Sequence, residues 1–350
     1  MLKILVVGAG AIGCFVGGRL AAAGQQVTLL GRPALMNKIA SEGLILQHPT
    51  QPDQTVSPKA LTDIYQVSDS YDFILVTVKA PSTAEIINQI AAAPFSMEHS
   101  YLVSLQNGIG NEEQLADAFG AERVIAGTVT IPISVPDLGI IAVSKDKGGL
   151  GLAPLRAGQP AEMLATALEE AGLTTPVYDD WRAVKWSKLL LNIINNASSA
   201  ILDETPARIV DNTDLFNLEI EALREGLAVM KAMEINAVKL PGYAVDWLAW
   251  LLNSNWLPLA LKRTILRPSM VSGRGSKMPS LHIDLEAGRE STEIMVLNGA
   301  IVAAGQKLGI ATPVNMALTE IFKAVSERRT DWSNYRHQPT KLLKAVASAR

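Results

Sequence analysis

The chain has 350 residues, 48% of them hydrophobic and 19% charged, a composition able to build substantial cores. Its net charge of −3 and pI near 5.9 leave no basic footprint for nucleic acid. The single cysteine, Cys14, rules out an intramolecular disulfide and suits a reducing compartment, so we expect a cytoplasmic protein.

Lys3–Val7 is a short apolar, β-branched run that reads as a strand buried on both faces. It is the first strand rather than the apolar core of a secretory leader. Gly8, Gly10 and Gly13 then complete G-x-G-x-x-G and open a small-residue helix over Ala11–Ala23. Gly24 stops that helix as a C′ glycine, and Gln26–Leu30 forms a second strand. Strand, glycine turn, helix and strand within about thirty residues make the full dinucleotide-binding context. Gly8 permits the tight turn, Gly10 lets the backbone approach a pyrophosphate, and Gly13 brings the helix close to the strand. With Ala9, Ala11 and Ile12 they place the free N–H groups of the helix against the pyrophosphate.

The end of the second strand selects the dinucleotide. An NAD site places Asp or Glu here, to bond the ribose hydroxyls. This chain has Gly31 and Arg32, with no acidic residue nearby. A guanidinium suits a 2′-phosphate, so the expected cofactor is NADP(H).

A helix follows over Leu35–Ser41, then a strand over Leu44–Gln47 and an extended segment over Asp53–Leu61. Asp72–Val78 is a buried strand ending at Lys79. A helix over Ser82–Ala92, the strand Tyr101–Leu105 and the loop Gln106–Gly110 come next. This alternation predicts a doubly wound parallel sheet, whose ligands sit beyond the carboxyl ends of the strands. Lys79 and Asn107 lie at such ends and should face the cofactor. Val124–Thr130, Gly139–Ser144 and Leu150–Ala153 predict strands that finish the sheet in an antiparallel arrangement, followed by a helix over Pro160–Ala171 and a strand near Thr174–Tyr178.

From Asp180 onward the pattern is almost wholly helical. The chain therefore divides into residues 1–179, a Rossmann-like α/β domain, and 180–350, an all-α domain for substrate and catalysis. The most informative helix is Arg182–Ala200, RAVKWSKLLLNIINNASSA. Lys188, Asn192 and Asn196 fall at i, i+4 and i+8, with Asn195 and Ser199 extending that face. An ammonium and several amides on an otherwise apolar helix either meet a polar network or line a polar cleft, a solvated face being the third reading.

Tyr243–Leu261 is apolar but contains Asp246, Asn253, Asn255 and Pro258, so it is not a membrane span. Its Trp247, Trp250 and Trp256 are expected in the core by default, a lid and an oligomer surface being the other readings. Arg274–Thr292 is a Gly- and polar-rich loop around Leu281–Leu285, with Ser280 suited to an N-cap or loop hydroxyl. A helix over Glu293–Leu308 has Glu293 in its first turn, where the dipole favours a carboxylate. Thr312-Pro313-Val314-Asn315 starts a last long helix, and the tail beyond Arg336 forms a short one. His48, His99, His282 and His337 show no metal-ligand spacing. For His282, a loop hydrogen bond is the expected role.

GAGAIG, the Arg after the second strand, VTVKA, LQNGIG, WSKLLLN..NN, PS..DL..GR.STE and GI.TPVN occur in one order. That ordered set resembles the ketopantoate reductase (2-dehydropantoate 2-reductase) family over nearly the whole chain. The resemblance implies a Rossmann-like domain followed by an all-α domain of the 6-phosphogluconate dehydrogenase C-terminal type. It implies NADPH-dependent reduction of ketopantoate to pantoate, in pantothenate and coenzyme A biosynthesis. By resemblance Gly8–Gly13 binds the pyrophosphate, and Arg32 with Lys79 contacts the NADP side. Asn107 lies near nicotinamide and substrate, and Lys188 is the proton donor. Asn192, Asn196 and Ser280 bind substrate, while Glu293 matches the family glutamate that contacts the bound ligand and cofactor.

The departures fall on the substrate side. Met295-Val296 replaces a frequent acidic and aromatic pair, the loop before Glu293 is one residue longer, and a family asparagine aligns near Pro206. Two other readings stand beside this one: a relative reducing another 2-oxo acid or an imine, as opine dehydrogenases do, and an NADP(H)-binding sensor without turnover. A 6-phosphogluconate-type activity is disfavoured, because no basic cluster for a substrate phosphate stands out. The expected partner is a small 2-oxo acid, with no nucleic acid or membrane, and a homodimer is left open.

Overall fold

In the computed structural model, which describes residues 1–254, 256–272, 278–290 and 292–349, the glycine turn follows an interior strand of a seven-stranded sheet. The first elements are β1 (Lys3–Val7), α1 (Ala11–Ala22), β2 (Gln26–Leu30), α2 (Pro33–Glu42), β3 (Leu44–Gln47), β4 (Gln54–Val56) and β5 (Lys59–Leu61). They are followed by β6 (Phe73–Val76), α3 (Thr83–Ala91), β7 (Tyr101–Ser104), α4 (Asn111–Phe119) and β8 (Val124–Val129). Then come β9 (Ile133–Asp137), β10 (Ile140–Val143), β11 (Leu150–Pro154) and α5 (Ala161–Glu170).

The large sheet runs β11-β8-β7-β6-β1-β2-β5, parallel throughout except for β11, which pairs antiparallel with β8. Strand order reverses between β1 and β6, so the carboxyl ends at Val7, Leu30 and Val76 meet at the switch point where doubly wound sheets bind ligands. The two-residue period of β1 sends Ile4 and Val6 to one core, with Cys14, Phe15 and Val16 of α1. Leu5 and Val7 enter the opposite core with Ile86 of α3 and Leu115 of α4. Each such side chain contributes about 1.5–3 kcal/mol by leaving water.

The expectation of one sheet with an antiparallel end holds only for β11. β9 and β10 belong to a second sheet of order β4-β3-β10-β9. That sheet covers α1 on its far side, where Gly18 leaves room: a Cβ there would come within 2.9 Å of Leu44 and Leu46. The expected strand near Thr174–Tyr178 is reduced to a single parallel bridge, Leu152 with Val177.

The chain separates into two compact units. One holds Met1–Gln106, Gly110–Lys185 and Leu240–Tyr243, and the other Asn107–Ile109, Trp186–Lys239 and Ala244–Arg350. The second unit is helical: α6 (Trp181–Ile193) enters it from the first, followed by α7 (Asn196–Leu202), α8 (Pro206–Asp211) and α9 (Thr213–Ala232). The later helices are α10 (Val245–Asn253), α11 (Leu259–Ser272), α12 (Ser280–Glu286), α13 (Asn298–Leu308), α14 (Pro313–Ser326) and α15 (Pro339–Ser348). Glu225 of α9 accepts from the backbone N–H groups of Val314 and Asn315, at 2.8 and 2.9 Å, satisfying free donors at the start of α14.

Four expectations are corrected here. Arg182–Ala200 is not one helix, because Asn195 adopts φ +52° and separates α6 from α7. Its backbone N–H donates to the buried Glu219 carboxylate at 2.7 Å, so a long-range contact fixes the break. Leu281–Leu285 is helical rather than loop, and Glu293–Val296 is a separate 3-10 turn before α13. Trp247, Trp250 and Trp256 are exposed (45, 57 and 72%), while Leu248, Leu251 and Leu252 fill the core. Arg274–Lys277 and Ser291, part of the expected loop, and Asn255 lie outside the described residues. No helix among the described residues is long and apolar enough to cross a membrane.

Candidate active site

The glycine turn has a different reason for each glycine. Gly8 sits at φ +89°, and a Cβ there would come within 2.4 Å of the Val78 side chain and 2.7 Å of its backbone nitrogen. Thr77 Oγ1 donates to the Val7 and Gly8 carbonyls at 3.1 and 2.9 Å, holding the turn against the end of β6. A Cβ on Gly13 would come within 2.5 Å of Thr77 Oγ1 and 2.9 Å of Val6. Gly10 is different: a Cβ there would meet only the Gly8 carbonyl, at 3.8 Å. The protein leaves that side open, as backbone approach by a pyrophosphate requires. Gly10 is the N-cap of α1 and offers no side-chain cap, so the first amides of the helix face this opening. These residues fit a dinucleotide.

Arg32 and Lys79 come after the carboxyl ends of β2 and β6, on either side of β1, and both are exposed. Arg32 is the N-cap of α2, whose Pro33 starts the helix. Gly31 and Pro33 flank Arg32 in the chain, so neither neighbouring residue brings a carboxylate to compete for a 2′-phosphate. Cys14, one turn into α1, is buried, and burial pushes its thiol up to about 12. Its Sγ donates to the Ala9 carbonyl at 3.4 Å, so it packs rather than reacts.

The other expected residues gather in the second unit. Lys188 and Asn192 stand one turn apart on α6, both half-buried. Asn192 Nδ2 donates to Asn107 Oδ1 at 3.2 Å. The 107–109 segment is itself held against the turn that starts at Glu293: Ile109 N donates to Val296 O at 3.0 Å, and a Cβ on Gly108 would strike Val296. Glu293 is buried in that turn. Hydrogen bonds thus join Asn192, the 107–109 segment and the turn that starts at Glu293, with Lys188 one turn before Asn192 on α6.

Asn196 and Ser280 form a second pair. Asn196 Nδ2 donates to Ser280 Oγ at 3.4 Å, and Asn196 Oδ1 accepts from Leu281 N at 3.2 Å. Ser280 is the first residue of α12 rather than its cap. The break at Asn195 takes Asn196 off the α6 face, and Asn195 itself turns inward, donating to Met270 O at 3.4 Å. His282 lies on α12 and bonds the Asp203 carboxylate through Nε2 at 2.6 Å, a hydrogen-bonding role on a helix instead of a loop.

Sequence reading missed the buried supports. Glu219 takes the Asn195 amide and the Ser198 hydroxyl. Gln106 Nε2 donates to Val78 O at 3.1 Å and Thr83 Oγ1 at 2.8 Å. Lys185 and Glu112 form a buried ion pair at 2.7 Å. The available signal was a charged residue on the apolar side of a helix, in VKWSKLLL.

A doubly wound sheet with an open glycine turn, carried in one chain with a helical unit bearing a lysine–amide array, defines a nicotinamide-dependent oxidoreductase. The family described as ketopantoate reductase PanE/ApbA matches residues 4–155, and its C-terminal counterpart matches 180–326. A 2-dehydropantoate 2-reductase of Pyrococcus horikoshii is 30% identical over 325 residues, covering 92% of this chain and 97% of that protein. The solved PanE/ApbA family ketopantoate reductase of Ralstonia eutropha is 27% identical, with a TM-score of 0.77 over 94% of this chain and 99% of that one. The solved 2-dehydropantoate 2-reductase of Geobacter metallireducens is also 27% identical, with a TM-score of 0.77 over 94% and 100%. The chain belongs to the PanE/ApbA ketopantoate reductase family.

Proposed function

We propose that this chain reduces the C2 carbonyl of ketopantoate to give pantoate, within pantothenate and coenzyme A biosynthesis, and that Lys188 donates the proton. The observation that carries this reading is the hydrogen bond of Asn192 to Asn107 beside the buried Glu293 turn, with the half-buried Lys188 one turn before Asn192 on α6. NADPH, bound at the glycine turn, supplies the hydride. Residues Gly8 to Gly13 hold its pyrophosphate, Arg32 and Lys79 take the 2′-phosphate side, and Asn107 and Glu293 serve both cofactor and substrate. A half-buried lysine both transfers a proton and opposes the negative charge growing on the carbonyl oxygen. Asn192, Asn196 and Ser280 orient the substrate's oxygens without adding a competing charge.

We further place residues 1–179 as the NADP domain and 180–350 as the catalytic domain, in a cytoplasmic enzyme. The exposed Trp247, Trp250 and Trp256 support a homodimer as its assembly. The test follows NADPH oxidation with ketopantoate, pyruvate and 2-oxoisovalerate, each with and without an amine. Turnover concentrated on ketopantoate supports the reading. Turnover confined to another oxo acid, or dependent on the amine, replaces the substrate. NADPH binding with no turnover on any of them leaves the sensor.

A further inference from the structure

Three residues before Lys188, α6 carries a second lysine that the proposed chemistry does not use. Lys185 is 2% exposed, and its Nζ lies 2.7 Å from Oε1 of Glu112, which is fully buried. The same Nζ donates to the carbonyl oxygens of Gln106, at 2.6 Å, and Gly127, at 3.3 Å. All four residues belong to the first unit. One ammonium therefore ties α6 to the residue beyond β7, to β8 and to the first turn of α4.

Stability does not account for such a pair. Withdrawing both charges from water offsets most of their attraction, and well-packed apolar residues of similar volume serve as well or better. Geometry accounts for it directly. The Gln106 carbonyl is half of the peptide that continues as Asn107, whose side chain accepts from Asn192. At its other end, Lys185 stands one turn before Lys188 on the helix that also carries Asn192. Gln106 is further fixed by its own bonds to Val78 and Thr83, and Thr83 Oγ1 donates to Asn111 Oδ1 at 2.9 Å. The clamp is rigid on the loop side.

We infer that Lys185, held by Glu112, is a positioning residue: by clamping the Gln106 carbonyl to α6 it sets Asn107 relative to Lys188 and Asn192. The inference rests on the roles given above to Lys188 and Asn107.

The test combines Lys185→Met with Glu112→Leu, so that no buried charge is left unpaired, and sets this double variant beside Glu112→Gln and the unaltered protein. Amide hydrogen exchange over residues 106–110 reads the clamp without substrate. Steady-state kinetics and NADPH titration read its consequence. The double variant should melt within about 4 °C of the unaltered protein. It should exchange about tenfold faster over 106–110. Its kcat with ketopantoate should fall about 10- to 100-fold, with NADPH Kd held within about threefold. Glu112→Gln leaves the buried Lys185 charge unpaired, so it should melt below the double variant. Its Lys185 bond to Gln106 should keep exchange over 106–110 slower than in the double variant. Unchanged exchange in the double variant overturns the clamp, and faster exchange with unchanged kcat overturns its positioning role. If the unaltered protein does not turn over ketopantoate, the functional reading falls by itself, and the exchange comparison still upholds or overturns the clamp.

Discussion

Gly8 and Gly10 stand two residues apart and respond oppositely to the same added methyl group. At Gly8 the methyl meets Val78 and a positive φ, so Gly8→Ala should lower the melting temperature of the cofactor-free protein. At Gly10 it meets no protein atom closer than 3.8 Å, but it projects into the opening proposed for the pyrophosphate. Gly10→Ala should therefore cost at most about 1 kcal/mol of stability, as a lost N-cap glycine. It should weaken NADPH about tenfold or more, since a backbone approach is blocked. Calorimetry with NADPH titration separates the two, and a Gly10→Ala protein that binds NADPH normally contradicts the site. Arg32→Ala belongs to the same scale. It should weaken NADPH by about 10-fold or more, the strength of a charge-assisted phosphate contact, while leaving NADH nearly unchanged. Equal weakening of both dinucleotides counts against the 2′-phosphate contact. The glycine turn was legible in sequence because a glycine's conformational freedom is a local property. Lys185 was not, since a lysine in a helix reads as solvated until Glu112, 73 residues earlier, is found beside it.

At the scale of elements, the break between α6 and α7 is held from a distance. Asn195 keeps φ +52° because Glu219 takes its amide, and nothing in the run IINNASS marks a stop. An alanine in this left-handed region costs roughly 1–2 kcal/mol and a glycine much less. Asn195→Ala should therefore destabilise the protein more than Asn195→Gly, as denaturant midpoints would show. Equal midpoints or the reverse order would contradict the left-handed backbone at Asn195 as what sets the cost.

Asp203 closes α7 and joins His282 of α12 to Arg336 of the C-terminal segment. Burial pushes its carboxyl up, but the bonds from His282 and Arg336 more than offset this and hold it below the usual range. A carboxyl with a folded pKa below its unfolded value of about 3.9 stabilises the fold above that pH, and the contribution is lost as pH falls through the folded value. Asp203→Asn tolerates the same backbone, so its melting deficit at pH 7 should shrink toward zero below about pH 4. A deficit that stays constant from neutral to acid pH contradicts this assignment.

For the whole molecule, the order of strands and helices was legible because burial on both faces and the 3.6-residue period are written locally. What each element packs against was not. β10 read as the continuation of the large sheet, yet it pairs with β3, almost a hundred residues earlier in the chain. The tryptophans of α10 read as core because apolar density does not say which side of a helix is covered, and the leucines took the covered side.

The central claim is that Lys188 protonates the carbonyl oxygen of ketopantoate while the first unit holds NADPH independently of it. Its most direct test measures kcat with ketopantoate and the NADPH Kd in Lys188→Ala. The account predicts a fall in kcat of about 10²–10⁴-fold, the usual worth of a general acid, with the Kd within about twofold. Turnover at the unaltered rate would remove Lys188 from the reaction.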